Sequence, residues 1–173
     1  MPTVEASIVI NASVDEVFAV MDDPQRVKEY MPGVTQIYDY DYTPQRVGDQ
    51  AMFVYSVLGL HLPTKVVIRE WERNRWMIMD MDGGLKGILT FSFVAYGGFT
   101  RVSWHIDYAM KGGILGKAVN TLVVEWINRR NAERALRNLK HVCEAANAPV
   151  AVPAFAVVPD EVGLRRHPAA LLR

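Results

Sequence analysis

Tyr108 and Asp80 are the two side chains whose setting in the sequence could support proton transfer. Tyr108 alternates with Trp104 and Ile106 in an apolar strand, so its phenol is expected inside the protein. Asp80 lies in a methionine-rich strand, where it would be a carboxylate in poor solvent if it faced the same interior. Such groups are suited to general acid–base catalysis. A hydrogen-bonded core tyrosine and an exposed carboxylate near a turn explain the same pattern without any chemistry.

Other catalytic chemistries find no support in the sequence. None of the histidines occurs at the spacing of metal ligands: His61, His105, His141 and His167. No glycine-rich turn leads from a strand into a helix as in a phosphate-binding loop, and no Gly-x-Ser-x-Gly element occurs. Cys143 lies on the apolar side of a predicted helix, where a thiol is usually inert. We therefore expect no metal, no cofactor and no covalent catalyst.

The spacing of apolar residues predicts the elements that position these side chains. Residues 3–10 alternate as in a strand, and Ser13 with Glu16 forms a capping box that begins a short helix. A second short helix is expected over 25–30, followed by strands over 35–42, 50–58, 62–72, 75–81, 86–95 and 100–110. Apolar residues then recur every three or four positions over 115–146, which indicates a long amphipathic helix. Short turns between the strands predict an antiparallel sheet.

The sequence shows the inward face of some predicted strands more clearly than that of others. The strand over 86–95 has the clearest inward face, which carries Leu89, Phe91 and Phe93. The strand over 75–81 is ambiguous, because one face carries three methionines and the other carries Trp76, Ile78 and Asp80. Three methionines would form an adaptable apolar wall. A tyrosine stripe on the strand over 35–42 fits either a ligand wall or a half-buried sheet face: Tyr38, Tyr40 and Tyr42.

The composition excludes several classes of protein. The 173 residues include 50% hydrophobic and 22% charged side chains, which suits one folded domain rather than a disordered chain. Basic and acidic residues number 19 each, which argues against a nucleic-acid partner. No apolar stretch is long enough to predict a transmembrane helix, although the basic long helix leaves peripheral membrane contact open. A single cysteine and the lack of a leader pattern lead us to expect a cytoplasmic protein.

Five short segments, in this order, resemble the START-like (SRPBCC) superfamily of polyketide cyclases, dehydrases and lipid-transport proteins, which includes the birch-pollen allergen fold. They are INASVDEVF (10–18), YMPGV (30–34), RVGD (46–49), GFTRV (98–102) and LRNLK (136–140). The resemblance implies an α+β helix-grip fold over residues 1–146. In that fold a curved seven-stranded antiparallel sheet wraps around a long C-terminal helix, and two short helices follow the first strand.

The same resemblance implies a cavity between the sheet and the long helix. Counting back from Gly83 and Gly84, as the pollen-allergen branch suggests, places Trp76, Ile78 and Asp80 toward this cavity. The expected ligand contacts are the large side chains at inward positions of the sheet and helix: Tyr55, Trp76, Ile78, Leu89, Phe91, Phe93, Trp104, Ile106, Tyr108, Leu122 and Trp126.

The leading hypothesis for function is binding of a hydrophobic small molecule in this cavity. The resemblance implies ligands such as a lipid, an isoprenoid or an aromatic polyketide. One alternative is a polyketide cyclase or dehydratase that uses the same cavity, with Asp80 or Tyr108 transferring a proton. A second alternative is an adaptor that acts through the C-terminal segment, because fold alone does not assign chemistry.

Residues 147–173 form a Pro/Ala/Val-rich tail beyond the expected domain. Its four prolines disfavour a regular helix or central strand, and its many apolar side chains suggest that it covers apolar surface or forms a homodimer contact.

Truncation after Ala148 is therefore expected to change the oligomeric state or the solubility, which light scattering measures. Unchanged scattering, together with rapid proteolysis of the tail in the intact protein, would contradict this prediction.

Overall fold

The computed structural model describes residues 3–57, 59–110 and 121–146, with the backbone alone for 57, 109–110 and 121–128. Its elements follow in chain order: β1 (Thr3–Ile10), α1 (Val14–Asp22), α2 (Val27–Tyr30), β2 (Val34–Tyr38), β3 (Gln50–Val57), β4 (Leu60–Glu72), β5 (Trp76–Gly83), β6 (Leu85–Tyr96), β7 (Phe99–Met110) and α3 (Thr121–Ala146). The predicted α+β fold is confirmed.

The seven strands form one antiparallel sheet in the order β1-β7-β6-β5-β4-β3-β2. The chain leaves β1 at one edge, and α1 and α2 carry it across to β2 at the other edge. Every later strand then pairs with its predecessor, until β7 closes against β1 with Ala6 opposite Trp104. The first strand is thus held by the last one.

Helix α1 begins at the predicted capping box. The Ser13 side chain accepts a hydrogen bond from the backbone N–H of Glu16, and the Glu16 carboxylate accepts from the backbone of Ser13 at 2.8 Å. These bonds satisfy two donors that the first turn of a helix leaves open. The helix then buries Val17, Phe18 and Met21 against the sheet.

Helix α3 covers the inner face of the sheet with one apolar stripe. Ala132, Leu136, Leu139 and Cys143 recur at helical spacing and are buried. Lys140 joins the helix to β1, because its Nζ donates to the Val9 carbonyl at 2.8 Å. No helix of the described residues is long and apolar enough to cross a membrane.

Parts of the expected helix and the whole tail cannot be compared with the structure. The prediction of a helix over 115–146 agrees with α3 from Thr121 onward, while residues 115–120 and the tail over 147–173 lie outside the described residues. Leu122 and Trp126 are on α3, but their side chains are outside the described part of the chain. Their expected contact with a ligand stays a prediction.

The expected inward face of β5 is wrong. Met77, Met79 and Met81 are buried at 3%, 8% and 3% exposure, so the methionine face lies inside. The three residues predicted to face the cavity lie on the outer face and are partly exposed: Trp76, Ile78 and Asp80.

Pairing with β6 explains this register. Met79 lies opposite Leu89 and Met77 lies opposite Phe91, and directly paired residues share a face of the sheet. A two-residue turn at Gly83 and Gly84 would have placed Ile78 opposite Leu89. The observed pairing is displaced by one residue, and a displacement of one residue exchanges the two faces of a strand.

Strand β2 is shorter than predicted. It ends at Tyr38, and the next residue, Asp39, has a φ of 49°, a left-handed conformation that interrupts an extended strand. Tyr40 and Tyr42 therefore belong to a connecting segment rather than to a tyrosine-lined strand face. They bond toward α1, since Gln25 donates to the Tyr40 hydroxyl at 2.7 Å and the Tyr42 hydroxyl donates to Asp22 at 3.3 Å.

Gly87 permits a close approach of β6 and β7. A Cβ atom at this position would collide with the Asp107 carbonyl oxygen and lie 2.7 Å from the Cα of Tyr108. Backbone atoms cannot rotate away as the end of a flexible side chain can, so the two strands would have to separate locally.

The substitution Gly87→Ala is expected to lower the free energy of unfolding by about 1–3 kcal/mol, the usual cost of overpacking. Urea denaturation measures the change. Gly97→Asn is the matched control, because Gly97 has a φ of 56° with no atom within 4 Å of its added Cβ and asparagine tolerates that conformation. Equal stability of the two variants would contradict the prediction.

Candidate ligand-binding site

Two cavities lie between the inner face of the sheet and the helices. The first, here called the α1 cavity, has a volume of about 60 Å³. Its apolar lining comes from α1, α2 and the middle strands: Met21, Val27, Tyr30, Phe53, Val66, Ile68, Met77, Met79 and Phe91. The second, here called the α3 cavity, has a volume of about 90 Å³ and reaches α3. It is lined by Pro32, Gly33, Ser56, Met81, Leu85, Trp104, Ile106, Tyr108, Asn131 and Ala132.

Three side chains border both cavities: Met31, Tyr55 and Leu89. Met31 follows α2, while Tyr55 and Leu89 lie on β3 and β6. Burial raises the pKa of the Tyr55 phenol far above its ordinary value, so this hydroxyl stays neutral and can donate or accept a hydrogen bond. The two cavities therefore share part of their lining.

The sheet brings most of the predicted ligand contacts to these cavities. Tyr55, Leu89, Phe91, Trp104, Ile106 and Tyr108 all contribute to a lining. Phe93 is buried but packs edge-to-face on Phe18 of α1, with 5.1 Å between ring centroids. Contact of any of these residues with a ligand remains a prediction.

Of the two acid–base candidates, only Tyr108 lies beside a cavity. Tyr108 is 2% exposed and borders the α3 cavity. The Asp80 side chain is 49% exposed on the outer face and pairs with Arg69 at 3.1 Å. An exposed ion pair of this kind is a common surface feature and contributes little to stability.

A buried ion cluster at the rim of the α1 cavity was not predicted from the sequence. Arg46 is 6% exposed and Asp49 is 5% exposed. The Arg46 guanidinium donates to Asp22 Oδ1 at 3.0 Å, to the Asp22 carbonyl at 2.8 Å and to Asp49 Oδ2 at 2.5 Å. Trp71 Nε1 also donates to Asp22 Oδ1, at 2.9 Å. The signal in the sequence was the RVGD segment, which contributed to the resemblance without any assigned role.

This cluster joins α1 to the segment between β2 and β3 and to β4. The segment is held on β4 by two backbone bonds, from Gly48 to the Ile68 carbonyl at 2.8 Å and from Ile68 to the Asp49 carbonyl at 2.9 Å. They occur where the register of β4 against β5 shifts between Ile68 and Glu70. A β-bulge bends a strand and increases its local twist, so the segment is attached where β4 curves around the α1 cavity.

Opposing effects act on the Asp49 carboxyl. Burial works to raise its pKa, but hydrogen bonds from the Thr43 hydroxyl and backbone and from Arg46 outweigh burial, so the pKa lies below its ordinary value. A lowered pKa in the folded state stabilises the fold above the unfolded pKa of about 3.9, and this contribution is lost as pH falls through the lower folded value.

The described residues that border the two cavities differ in charge. Asp22, Asp41, Arg46 and Asp49 border the α1 cavity. Among the described residues, those around the α3 cavity include no charged side chain. Its polar groups are neutral and few: Ser56, Trp104, Tyr108 and Asn131. A ligand that reached both cavities would therefore meet charged side chains at the rim of the α1 cavity and, among the described residues, only uncharged ones in the α3 cavity.

We expect Asp49→Asn to lower the free energy of unfolding at pH 7 by about 3 kcal/mol, because it removes one partner of a buried ion pair. Asp80→Asn, which removes an exposed partner, is expected to cost less than about 1 kcal/mol. The acid-induced loss of stability should also be weaker in Asp49→Asn than in the wild type. Urea denaturation between pH 2 and pH 7 checks both points, and equal costs for the two variants would contradict them.

Solved structures of similar fold include three informative relatives. A protein of Thermus thermophilus is 20% identical with a TM-score of 0.71, covering 85% of this chain and 100% of its own. A START superfamily protein from Mycobacterium smegmatis is 15% identical with a TM-score of 0.70, covering 83% and 98%. The Zhui aromatase/cyclase from Streptomyces sp. R1128 is 13% identical with a TM-score of 0.71, covering 84% and 95%. At these identities the likeness concerns the fold alone.

Comparison with curated proteins finds no matching sequence. The family model described as polyketide cyclase / dehydrase and lipid transport matches residues 1–144. This match covers both cavities, the ion cluster and almost all of α3. The sheet wrapped on a C-terminal helix, the cavities between them and the family match lead to one conclusion: the chain belongs to the polyketide cyclase/dehydrase and lipid-transport family.

Proposed function

We propose that this protein binds a hydrophobic small molecule in the α1 and α3 cavities. The observation that carries the proposal is the apolar lining on the inner face of three neighbouring strands. Met79, Met81, Leu89 and Ile106 contribute to it from β5, β6 and β7. Ligand sites are typically concave and mostly apolar, with a few polar groups that fix orientation.

The cavity volumes limit how the ligand can enter. Volumes of about 60 and 90 Å³ are each smaller than the roughly 150 Å³ of an engineered apolar cavity that binds benzene. A larger ligand must therefore displace lining side chains, and we expect these to include Met31, Tyr55 and Leu89, which border both cavities. The methionines on β5 favour such adaptation, because their unbranched side chains have three rotatable bonds.

A cyclase or dehydratase activity in the same cavity is the second candidate function. Tyr108 favours it, because its phenol borders the α3 cavity and could donate a proton to a bound substrate. Binding without chemistry is the better account, since the other candidate of the enzyme hypothesis, Asp80, lies on the outer face. The description of the family covers both cyclases or dehydrases and lipid transport, and one structural relative is an aromatase/cyclase.

Binding can be tested with a neutral apolar dye whose fluorescence rises in apolar surroundings, such as N-phenylnaphthylamine. We expect Leu89→Trp to weaken dye binding at least about tenfold, because the larger ring would fill space at the border of both cavities; that factor corresponds to about 1.4 kcal/mol. Fluorescence titration gives the dissociation constants, and circular dichroism shows whether the variant keeps its fold.

Ile88→Trp is the matched control, because Ile88 is the preceding residue on β6 and lies on the opposite face, beside Asp80 and Asp107. We expect dye binding in this variant to stay within about twofold of the wild type. A dye that binds equally well to folded Leu89→Trp, or that loses affinity only in Ile88→Trp, would place the site on another surface and contradict the proposal.

A further inference from the structure

The tip of the β6–β7 hairpin carries an apolar patch on the outer face of the sheet. Val94, Tyr96 and Phe99 are 56%, 46% and 42% exposed. Val94 follows the buried Phe93, so it lies on the outer face, and Tyr96 shares that face two positions later. Phe99 lies on the same face because it pairs directly with Tyr96. We call Val94, Tyr96 and Phe99 the hairpin patch. Contiguous exposed apolar surface commonly marks a site of contact.

Helix α3 ends close to the hairpin patch. The Glu144 carboxylate accepts a hydrogen bond from the backbone N–H of Asn11 at 2.7 Å, so the last turn of α3 lies at the end of β1. The Thr100 hydroxyl donates to the Ala12 carbonyl at 2.9 Å, and Thr100 is the chain neighbour of Phe99. Two hydrogen bonds and a short piece of backbone therefore connect the end of α3 to the hairpin patch.

The residues that follow α3 have a composition that suits this patch. Helix α3 ends at Ala146, and residues 148–159 read APVAVPAFAVVP, with no charged side chain. The nine residues over 147–155 can span about 30 Å when extended, which is enough to follow the connection just described. The prolines favour an extended, polyproline-like chain, and such chains bind to surfaces that present aromatic rings.

A segment of the same chain is the occupant that these observations favour. Because α3 tethers it beside the patch, its effective concentration there is of the order of millimolar for a short connection. The charges match as well. Arg101 is exposed and lies opposite Val94 on β7, and Asp160 with Glu161 follows the apolar run. A segment that runs from the hairpin tip toward Arg101 brings these opposite charges together, which helps to fix its register.

A groove between β1 and α3 is also within reach of the segment but suits it poorly. Four of the residues that border this groove are charged: Glu5, Arg129, Glu133 and Arg137. Covering charged side chains with an apolar segment would remove them from water without providing new polar partners, which is unfavourable.

We infer that residues 149–158 form an extended strap that docks, within the same chain, on the hairpin patch. The strap joins the end of α3 to the outer face of β6 and β7, and Phe155 supplies its largest apolar side chain. This inference does not depend on a ligand in either cavity.

Disulfide trapping tests the contact directly. The chain has one cysteine, Cys143, which is 2% exposed. Burial raises the pKa of its thiol to about 11, so this thiol stays unreactive under mild oxidation. Tyr96→Cys is combined with Ala154→Cys or with Ala156→Cys, which keeps the phenylalanines of the patch and of the strap. We expect a disulfide within one chain in dilute protein, and mass spectrometry identifies the linked peptides.

Glu133→Cys, combined with the same cysteines in the strap, is the matched control. Glu133 lies on α3 about 20 Å from the end of the helix, at 1.5 Å per residue, so an undocked segment can reach it. Its side chain is 46% exposed and pairs with Arg137 at 3.8 Å, a surface contact whose loss costs little. We expect the Tyr96→Cys pairs to form disulfides at least about tenfold faster than the Glu133→Cys pairs, because docking raises the effective concentration of the two thiols.

Proteolysis gives a second measurement on a chain without added cysteines. Elastase cleaves after small apolar residues, which are frequent over 148–158. Phe99→Ser is expected to speed cleavage in this segment about tenfold, because the rate follows the fraction of chains in which the strap is undocked. Val47→Ser is the matched control, since Val47 is 54% exposed and lies between β2 and β3; its rate is expected within about twofold of the wild type. Circular dichroism shows whether both variants keep the fold.

Three results would overturn the inference. They are equal disulfide rates for the Tyr96→Cys and Glu133→Cys pairs, disulfides that form only between two chains, and cleavage of the segment at the wild-type rate in folded Phe99→Ser. Each of them leaves the proposed function intact, because dye binding in the cavities is measured separately.

Discussion

The attachment of α1 at the rim of the α1 cavity depends on one buried guanidinium. Arg46 lies between Asp22 at the end of α1 and Asp49 just before the start of β3. A charge with so little access to water must be paired with good geometry, and here five hydrogen bonds from Arg46 and Trp71 reach the two aspartates. The cluster adds polar contacts to the apolar packing of Val17, Phe18 and Met21 that holds α1 against the sheet.

Arg46 also has a φ of 59°, which is uncommon for a residue with a side chain. The side chain therefore reaches both carboxylates from a backbone conformation that would otherwise be unfavourable. Its guanidinium lies 4.2 Å from the centroid of the Tyr42 ring, a cation–π contact that adds to the ion pairs. Local strain is accepted where the surrounding contacts determine the conformation.

Most of the fold could be predicted from the sequence, because the signals for it come from residues close together in the chain. The capping box at Ser13 fixed the start of α1, and the alternation of apolar and polar residues predicted the inward faces of β6 and β7. Phe91 does lie opposite Trp104. These features depend on neighbouring residues, so a single chain is enough to recognise them.

Features that depend on residues far apart in the chain could not be predicted from the sequence. Both faces of β5 are largely apolar, so its register is decided by pairing with β4 and β6, where Val66 lies opposite Met81 and Leu89 opposite Met79. The ion cluster joins Asp22 to Arg46 across 24 positions, and no local pattern marks such a pair. In the candidate site, the alternation of apolar and polar residues therefore predicted the inward aromatic residues of β6 and β7. It did not predict the methionine wall or the charged rim.

Strand order has a consequence for the sequence of events during folding. Thr3 and Asp107 bond to each other across 104 positions, so β1 cannot pair until β7 has formed. Closing so long a loop is entropically unfavourable until other contacts compensate, and folds dominated by such distant pairings assemble slowly. During synthesis on the ribosome, β1 stays unpaired until β7 has been made. About a hundred further residues must emerge first, at roughly 5–20 per second. The interior that contains the two cavities is thus enclosed only in the last stage of assembly, and a newly made chain passes through a period in which its apolar sheet face is open to other molecules.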